Sequence, residues 1–252
     1  MNRRFVMKTI AAATLAASAV MPALAGELKA KSVVMVHGAF ADGSAWNRVT
    51  PILEDAGLDV IAVQIPLSSL ADDVAATNRA IARVEGPVVL VGHSWGGMVI
   101  TETGDQDKVQ SLVYVAAFAP DAGESLKDYT SKFPHADGLD FLEKDASGYY
   151  RLSDEGMRKH FAFDLPAEEI ALIASAQGPI NSTSLGTPVT NAAWRSKPNF
   201  AIVTTQDRMT LTDIQRDQIG KLGAKAVEIE TSHVPMLTNP QAVADLILEA
   251  AK

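Results

Sequence analysis

The apolar tetrapeptide Val88-Val89-Leu90-Val91 runs without a break into Gly92-His93-Ser94-Trp95-Gly96-Gly97, and apolar residues continue towards Thr103. A buried strand, a glycine-flanked serine and a helix in immediate succession leave little choice of fold. The serine must occupy a strained turn, and side chains at the flanking glycines would strike the neighbouring strand and helix. Gly-x-Ser-x-Gly alone is a weak signal. Set between a strand and a helix it reads as a nucleophile elbow, and the helix dipole then favours charge developing at Ser94.

The rest of the chain supplies the matching architecture. Runs rich in Val and Ile at residues 32–37, 60–65, 87–92 and 111–116 read as buried strands, with helical stretches at 46–56, 69–84 and 95–103 between them. Their hydrophobicity is continuous rather than alternating, which means cover on both faces and so a parallel sheet with crossover helices. Two later strands are predicted at 200–204 and 226–229. A closing amphipathic helix runs from about 240 to 251 with Val243, Leu246, Ile247 and Ala250 on one face. The fold class is α/β: a mainly parallel sheet of about six strands with helices on both faces. Residues from about 121 to 198 break this rhythm with Gly- and Pro-containing turns and helical fragments such as 167–176. Lying between the fourth and fifth strands, they are placed above the carboxyl ends of the sheet, where open α/β sheets bind ligands, and are read as a small helical cap.

Residues 1–25 are set apart from this domain. Arg3, Arg4 and Lys8 form a positive head, an Ala-rich run starts at Ile10, and Ala23-Leu24-Ala25 is a cleavage signature. That pattern predicts a signal peptide, a domain spanning 26–252, and a periplasmic or secreted protein. Thr14, Ser18 and Pro22 interrupt the run, so no stable membrane insertion is expected. Arg3-Arg4-Phe5-Val6-Met7-Lys8 also fits a twin-arginine signal, and the general secretory route stays equally open. Removing the segment moves the net charge from -8 to -11. Such an acidic chain is no nucleic-acid binder, because phosphate neutralisation needs clustered Lys and Arg. With no Cys, disulfides, thiolate zinc sites and cysteine nucleophiles are excluded together.

A serine hydroxyl needs a base. The five histidines are His37, His93, His135, His160 and His233. His233 follows the last predicted strand and so falls at the same sheet end as Ser94. His37 follows the first strand, and His93 belongs to the elbow and is read as pointing elsewhere. His135 and His160 lie in the cap and are read as solvated or structural. The partner acid is Asp207, after the strand-like run 200–207 and before the histidine, with Asp121 after the fourth strand as the alternative. Donors for an oxyanion are the backbone amides of Trp95, next to the nucleophile, and Ala39, after the first strand. Phe40, Trp95 and Met236 are the apolar candidates to touch a substrate. No metal or nucleotide cofactor is implied, since there is no phosphate loop and the histidines are not spaced as ligands.

With these residues in place, the chain resembles the α/β-hydrolases, and within them the bacterial relatives of plant methylesterases and hydroxynitrile lyases. The resemblance rests on Val36-His37-Gly38-Ala39-Phe40 with Gly43 and Trp46, on Gly92-His93-Ser94-Trp95-Gly96-Gly97, on Asp207, and on Ser232-His233-Val234-Pro235-Met236-Leu237 ahead of Pro240. It implies hydrolysis of a carboxylic ester with a partly apolar group through an acyl-enzyme, with a small-molecule ester as the partner. The lyase branch carries threonine and lysine where Gly38 and Val234 stand here, which points to the esterase branch. Ser94 excludes the branches with an aspartate nucleophile. A ligand-binding or sensory protein on the same fold, and hydrolysis of an amide, lactone or carbon-carbon bond, remain the competing readings.

Overall fold

The computed structural model describes residues 27–252, so the signal-peptide expectation lies outside the described residues. β-Branched residues build β1 (Ser32–Val36), β2 (Asp59–Val63), β3 (Val88–His93) and β4 (Val109–Val115). After an insertion holding β5 (Leu142–Lys144), β6 (Tyr149–Leu152) and β7 (Ile180–Asn181), the sheet resumes with β8 (Asn199–Thr204) and β9 (Lys225–Ile229). The main sheet is six-stranded in the order β2-β1-β3-β4-β8-β9, with every neighbouring pair parallel. β1 and β3 are buried at every position, as strands covered on both faces must be, whereas the edge strands β2 and β9 are largely accessible.

Chain direction across the sheet reverses at β1, which pairs with β2 on one side and β3 on the other. The carboxyl ends of β1 and β3 therefore flank a topological switch point, the position where open α/β sheets form a binding crevice. Ala39 and Ser94 leave the sheet at those two ends.

The predicted helices are present, with two differences. In place of one helix over 46–56 there are a 3₁₀ turn (Gly43–Trp46) and an α-helix (Thr50–Asp55) with Pro51 in its first turn, where its fixed φ fits. Thr212–Leu222 is a helix that the apolar pattern misses, because its buried positions include Gln215 and Gln218. The closing helix Pro240–Ala250 buries Val243, Leu246, Ile247 and Ala250, the face predicted for it.

The insertion carries more than helices. Besides Leu126–Thr130 and Ala167–Ala176 it holds the antiparallel sheet β5-β6-β7 and a turn of π-helix, Met157–Phe161. Phe161 is fully buried and joins the single apolar cluster that runs through the whole fold.

Candidate active site

Ser94 has φ 50°, a left-handed conformation that a non-glycine residue adopts only when its surroundings enforce it. Two close approaches enforce the turn. A Cβ at Gly92 would lie 2.5 Å from the carbonyl oxygen of Gly96, and one at Gly96 would lie 2.6 Å from that of Val36. The helix Gly96–Thr103 starts at once and packs against β3 and the helix Leu70–Arg83. Ser94 thus stands at its N-terminal end, nearly buried but lining a cavity.

The candidate base and its candidate acid come from the far half of the sheet. His233 Nδ1 donates to Asp207 Oδ2 at 2.7 Å, and both side chains are buried. Asp207 follows β8 by three residues and is saturated with donors. Its Oδ1 accepts from the amides of Met209 at 2.8 Å and Thr210 at 2.9 Å, and its Oδ2 also accepts from Thr204 Oγ1 at 2.8 Å and Gln215 Nε2 at 3.0 Å. With the Nδ1 proton committed to Asp207, Nε2 of His233 carries the free lone pair. Asp121 is elsewhere: it pairs with Arg195 at 2.5 Å and lies 4.0 Å from Lys221.

Two further histidines hold the frame. Ile65 N–H donates to His37 Nε2 at 3.1 Å, which leaves His37 Nδ1 to donate to Gly38 O at 2.8 Å. Burial pushes the His37 pKa below its ordinary value, against smaller upward contributions from these bonds and from Asp42. His93, read from sequence as pointing away, instead lies against His233 with ring centroids 4.7 Å apart. Its Nε2 donates to the backbone carbonyl of His233 at 2.9 Å. Burial, helped by the proximity of His233, holds His93 well below the usual histidine range, so it stays neutral.

Neither the Ala39 nor the Trp95 amide finds an acceptor among the described residues. Both residues line the cavity beside Ser94 and His233. The cavity measures about 710 Å³ and is mostly apolar, with Phe40, Trp95 and Phe118 near the sheet and Leu126, Phe133, Leu139, Tyr150 and Leu185 from the insertion. Met236 does not reach it. Pro235, two residues after His233, starts a short helix, and that turn carries Met236 into the core with no exposed surface. His135 stands exposed at the cavity wall, paired with Asp140 at 2.8 Å, and His160 packs against Phe141 at 4.7 Å. Among the described residues no group of three His, Asp or Glu side chains could hold a metal ion.

The insertion also supports the loops of His233 and Asp207, which sequence reasoning missed. Phe161 meets His233 edge-on at 5.1 Å, and Asp164 Oδ2 accepts the amide of Ser232 at 2.8 Å. Arg208 Nη1 donates to Lys159 O at 2.6 Å and its guanidinium lies 4.1 Å over the Phe163 ring. The one sequence hint was the aromatic pair Phe161 and Phe163 around residues of no clear periodicity. π-Turns of this kind recur at functional sites.

Residues 33–246 match the model of the alpha/beta hydrolase family. The chain belongs to that family. This alpha/beta hydrolase is 28% identical to Methylesterase 2 of Arabidopsis thaliana over 256 residues, covering 89% of the chain and 97% of the relative. It is also 28% identical to Salicylic acid-binding protein 2 of Nicotiana tabacum over 260 residues, covering 88% and 97%. Its fold resembles that of a pyrethroid hydrolase from Sphingobium faniae JZ-2, with a TM-score of 0.76, 22% identity and coverage of 88% and 97%. The expected resemblance to the methylesterases therefore extends along nearly all of the described hydrolase domain.

Proposed function

We propose that the chain is an exported serine esterase cleaving a small-molecule carboxylic ester that carries a partly apolar group. The observation that carries this reading is the buried His233–Asp207 pair, 2.7 Å apart, opening onto the same cavity as the strained Ser94. Ser94 Oγ attacks the ester carbonyl carbon as His233 Nε2 removes its proton, and the carbonyl electron pair moves onto the oxygen. The Ala39 and Trp95 amides receive that oxyanion, an arrangement worth several kcal/mol of barrier when preorganised away from water. Collapse breaks the bond to the alkoxy group, which leaves with the proton from His233 and an acylated Ser94 behind it. Water, deprotonated by His233, then releases the carboxylic acid and restores Ser94. Asp207 holds the imidazole in the required tautomer and stabilises its charged form throughout. No cofactor enters these steps.

The names of the methylesterase relatives and the apolar cavity support an ester as substrate. Labelling of Ser94 by a fluorophosphonate, with turnover on a panel of p-nitrophenyl esters, tests the reading. Ser94→Ala should stay folded, lose the label and retain no more than about a thousandth of kcat/KM. Labelling with no ester turnover would favour a ligand-binding role instead. The assignment of export rests on Arg3, Arg4, Lys8 and Ala23-Leu24-Ala25, and cell fractionation of wild type against an Arg3→Lys, Arg4→Lys variant tests it and its route.

A further inference from the structure

Besides Asp207, the buried carboxylate among the described residues is Asp73, which has no exposed surface and no part in the reaction steps above. It lies in the first turn of the helix Leu70–Arg83. Its Oδ1 accepts the amide of Leu67 at 2.7 Å and its Oδ2 accepts the indole Nε1 of Trp95 at 2.8 Å. Both donors are unusual. Leu67 has φ 58°, a left-handed conformation that costs a side-chain-bearing residue free energy, and Trp95 follows the strained Ser94. A carboxylate deprived of water is costly unless hydrogen bonds offset the loss, and an apolar residue would pack the same space without that cost.

Building on the esterase reading, we propose that Asp73 is a positioning residue for the reaction. Its carboxylate pins the Trp95 indole against the helix Leu70–Arg83 and so fixes the backbone amide that follows Ser94, together with the cavity wall that the same indole forms. The strain at Ser94 persists only if its neighbours are over-determined, and Trp95 is held at both ends: by the start of the helix Gly96–Thr103 and by this bond. A serine one residue from a loosely held indole would lose alignment with the oxyanion donors, which lowers the rate of attack more than the binding of substrate.

The test turns on asparagine, which has the shape of aspartate but one acceptor oxygen for two N–H donors, so one donor faces an amide N–H₂. Asp73→Asn should lower kcat about tenfold or more, with KM changed less than threefold, and slow fluorophosphonate labelling of Ser94 by a similar factor. Adding Trp95→Phe, which deletes the opposed indole N–H, should raise kcat at least threefold above that of Asp73→Asn. A purely structural role, or a role of Trp95 as cavity wall alone, makes the double variant slower than either single one, and that result overturns the proposal. So does a folded Asp73→Asn with wild-type kcat. If Asp73→Asn fails to fold, Trp95→Phe on its own serves, and wild-type kcat and labelling rate in it overturn the proposal equally. The wild type distinguishes the two levels: no labelling and no turnover there removes the esterase reading and this inference with it, whereas an active wild type with indifferent variants removes the inference alone.

Discussion

The imidazole of His93, inside the elbow, donates to the backbone carbonyl of His233 at 2.9 Å, so the turn of Ser94 and the loop of His233 are tied directly to each other. His93→Leu deletes the donor and leaves that buried carbonyl without a partner, which should cost about 1–3 kcal/mol of stability. We expect kcat to fall about tenfold while KM moves less than threefold. A wild-type kcat in folded His93→Leu would show that the base loop does not depend on this tie.

The same residue has a pH signature. Burial holds His37 and His93 below the ordinary histidine value, so under acid conditions the unfolded chain takes up protons at these positions before the folded chain does. Each therefore contributes stability that is present above the unfolded histidine pKa near 6.5 and is lost as the pH falls towards the lower folded value, by at most about 1.4 kcal/mol per unit. Urea unfolding at pH 7.0 and 5.5 should show wild type losing more stability than His93→Leu over that interval. Equal losses would mean that His93 titrates alike in both states.

Asp73 has the opposite sign. Burial pushes its pKa up to about 6, against the lowering effect of the Trp95 and Leu67 donors and with a small push from Asp72. Between about pH 4 and 6 the folded chain keeps a proton that the unfolded chain has released. Stability from this group is thus complete below about pH 4 and is lost as the pH rises, by roughly 3 kcal/mol in total. The stability of wild type relative to Asp73→Asn should fall across that window and level off above pH 6. A difference that does not change with pH would contradict a raised pKa.

The acid assignment has a direct comparison. Asp207→Asn should lower kcat by at least about a thousandfold, because an amide there favours the wrong tautomer of His233. Asp121→Asn, which breaks an accessible pair with Arg195 and removes a charge 4.0 Å from the buried Lys221 Nζ, should leave kcat within threefold. The reverse ranking would move the acid role to Asp121.

Asp164 offers a test of the cap as a support for the base. Its carboxylate accepts the amide of Ser232, the residue before His233. Asp164→Ala should lower kcat several-fold with little change in KM, and Asp164→Asn should restore most of the loss because its amide oxygen can accept the same bond. Equal kcat values for the two variants would leave the Ser232 contact without a part in catalysis.

The sheet and the elbow were legible in the sequence because each rests on local signals: continuous apolar runs for β1, β3 and β4, and glycines at fixed offsets from Ser94. The pairing of Asp207 with His233 was anticipated from their places after the last two strands of the main sheet, with Asp121 left open as the alternative acid. The helix Thr212–Leu222 was not, since it turns Gln215 and Gln218 inward to serve Asp207 Oδ2 and the carbonyl of Ala117, and polar residues facing the core erase the helical apolar pattern. Met236 was misplaced because adjacency to His233 in sequence says nothing of direction once Pro235 starts a new helix. The grip of residues 159–164 on the loops of Asp207 and His233 was invisible for a different reason: it depends on contacts across 49 and 68 residues of chain, for which no local pattern exists.

The middle of the insertion and its flanks are unequally bound to the machinery, and this separates rate from taste. Residues 159–164 touch the loops of Asp207 and His233, whereas Leu126, Phe133 and Leu185 line the cavity and pack against the apolar cluster at its rim. Sequence variation at these three positions can therefore reshape what fits above Ser94 while the parts that break the bond stay aligned. A lineage carrying this scaffold could exchange one ester for another by changing a few wall residues, and a directed-evolution library confined to them would sample new substrates at little risk to turnover.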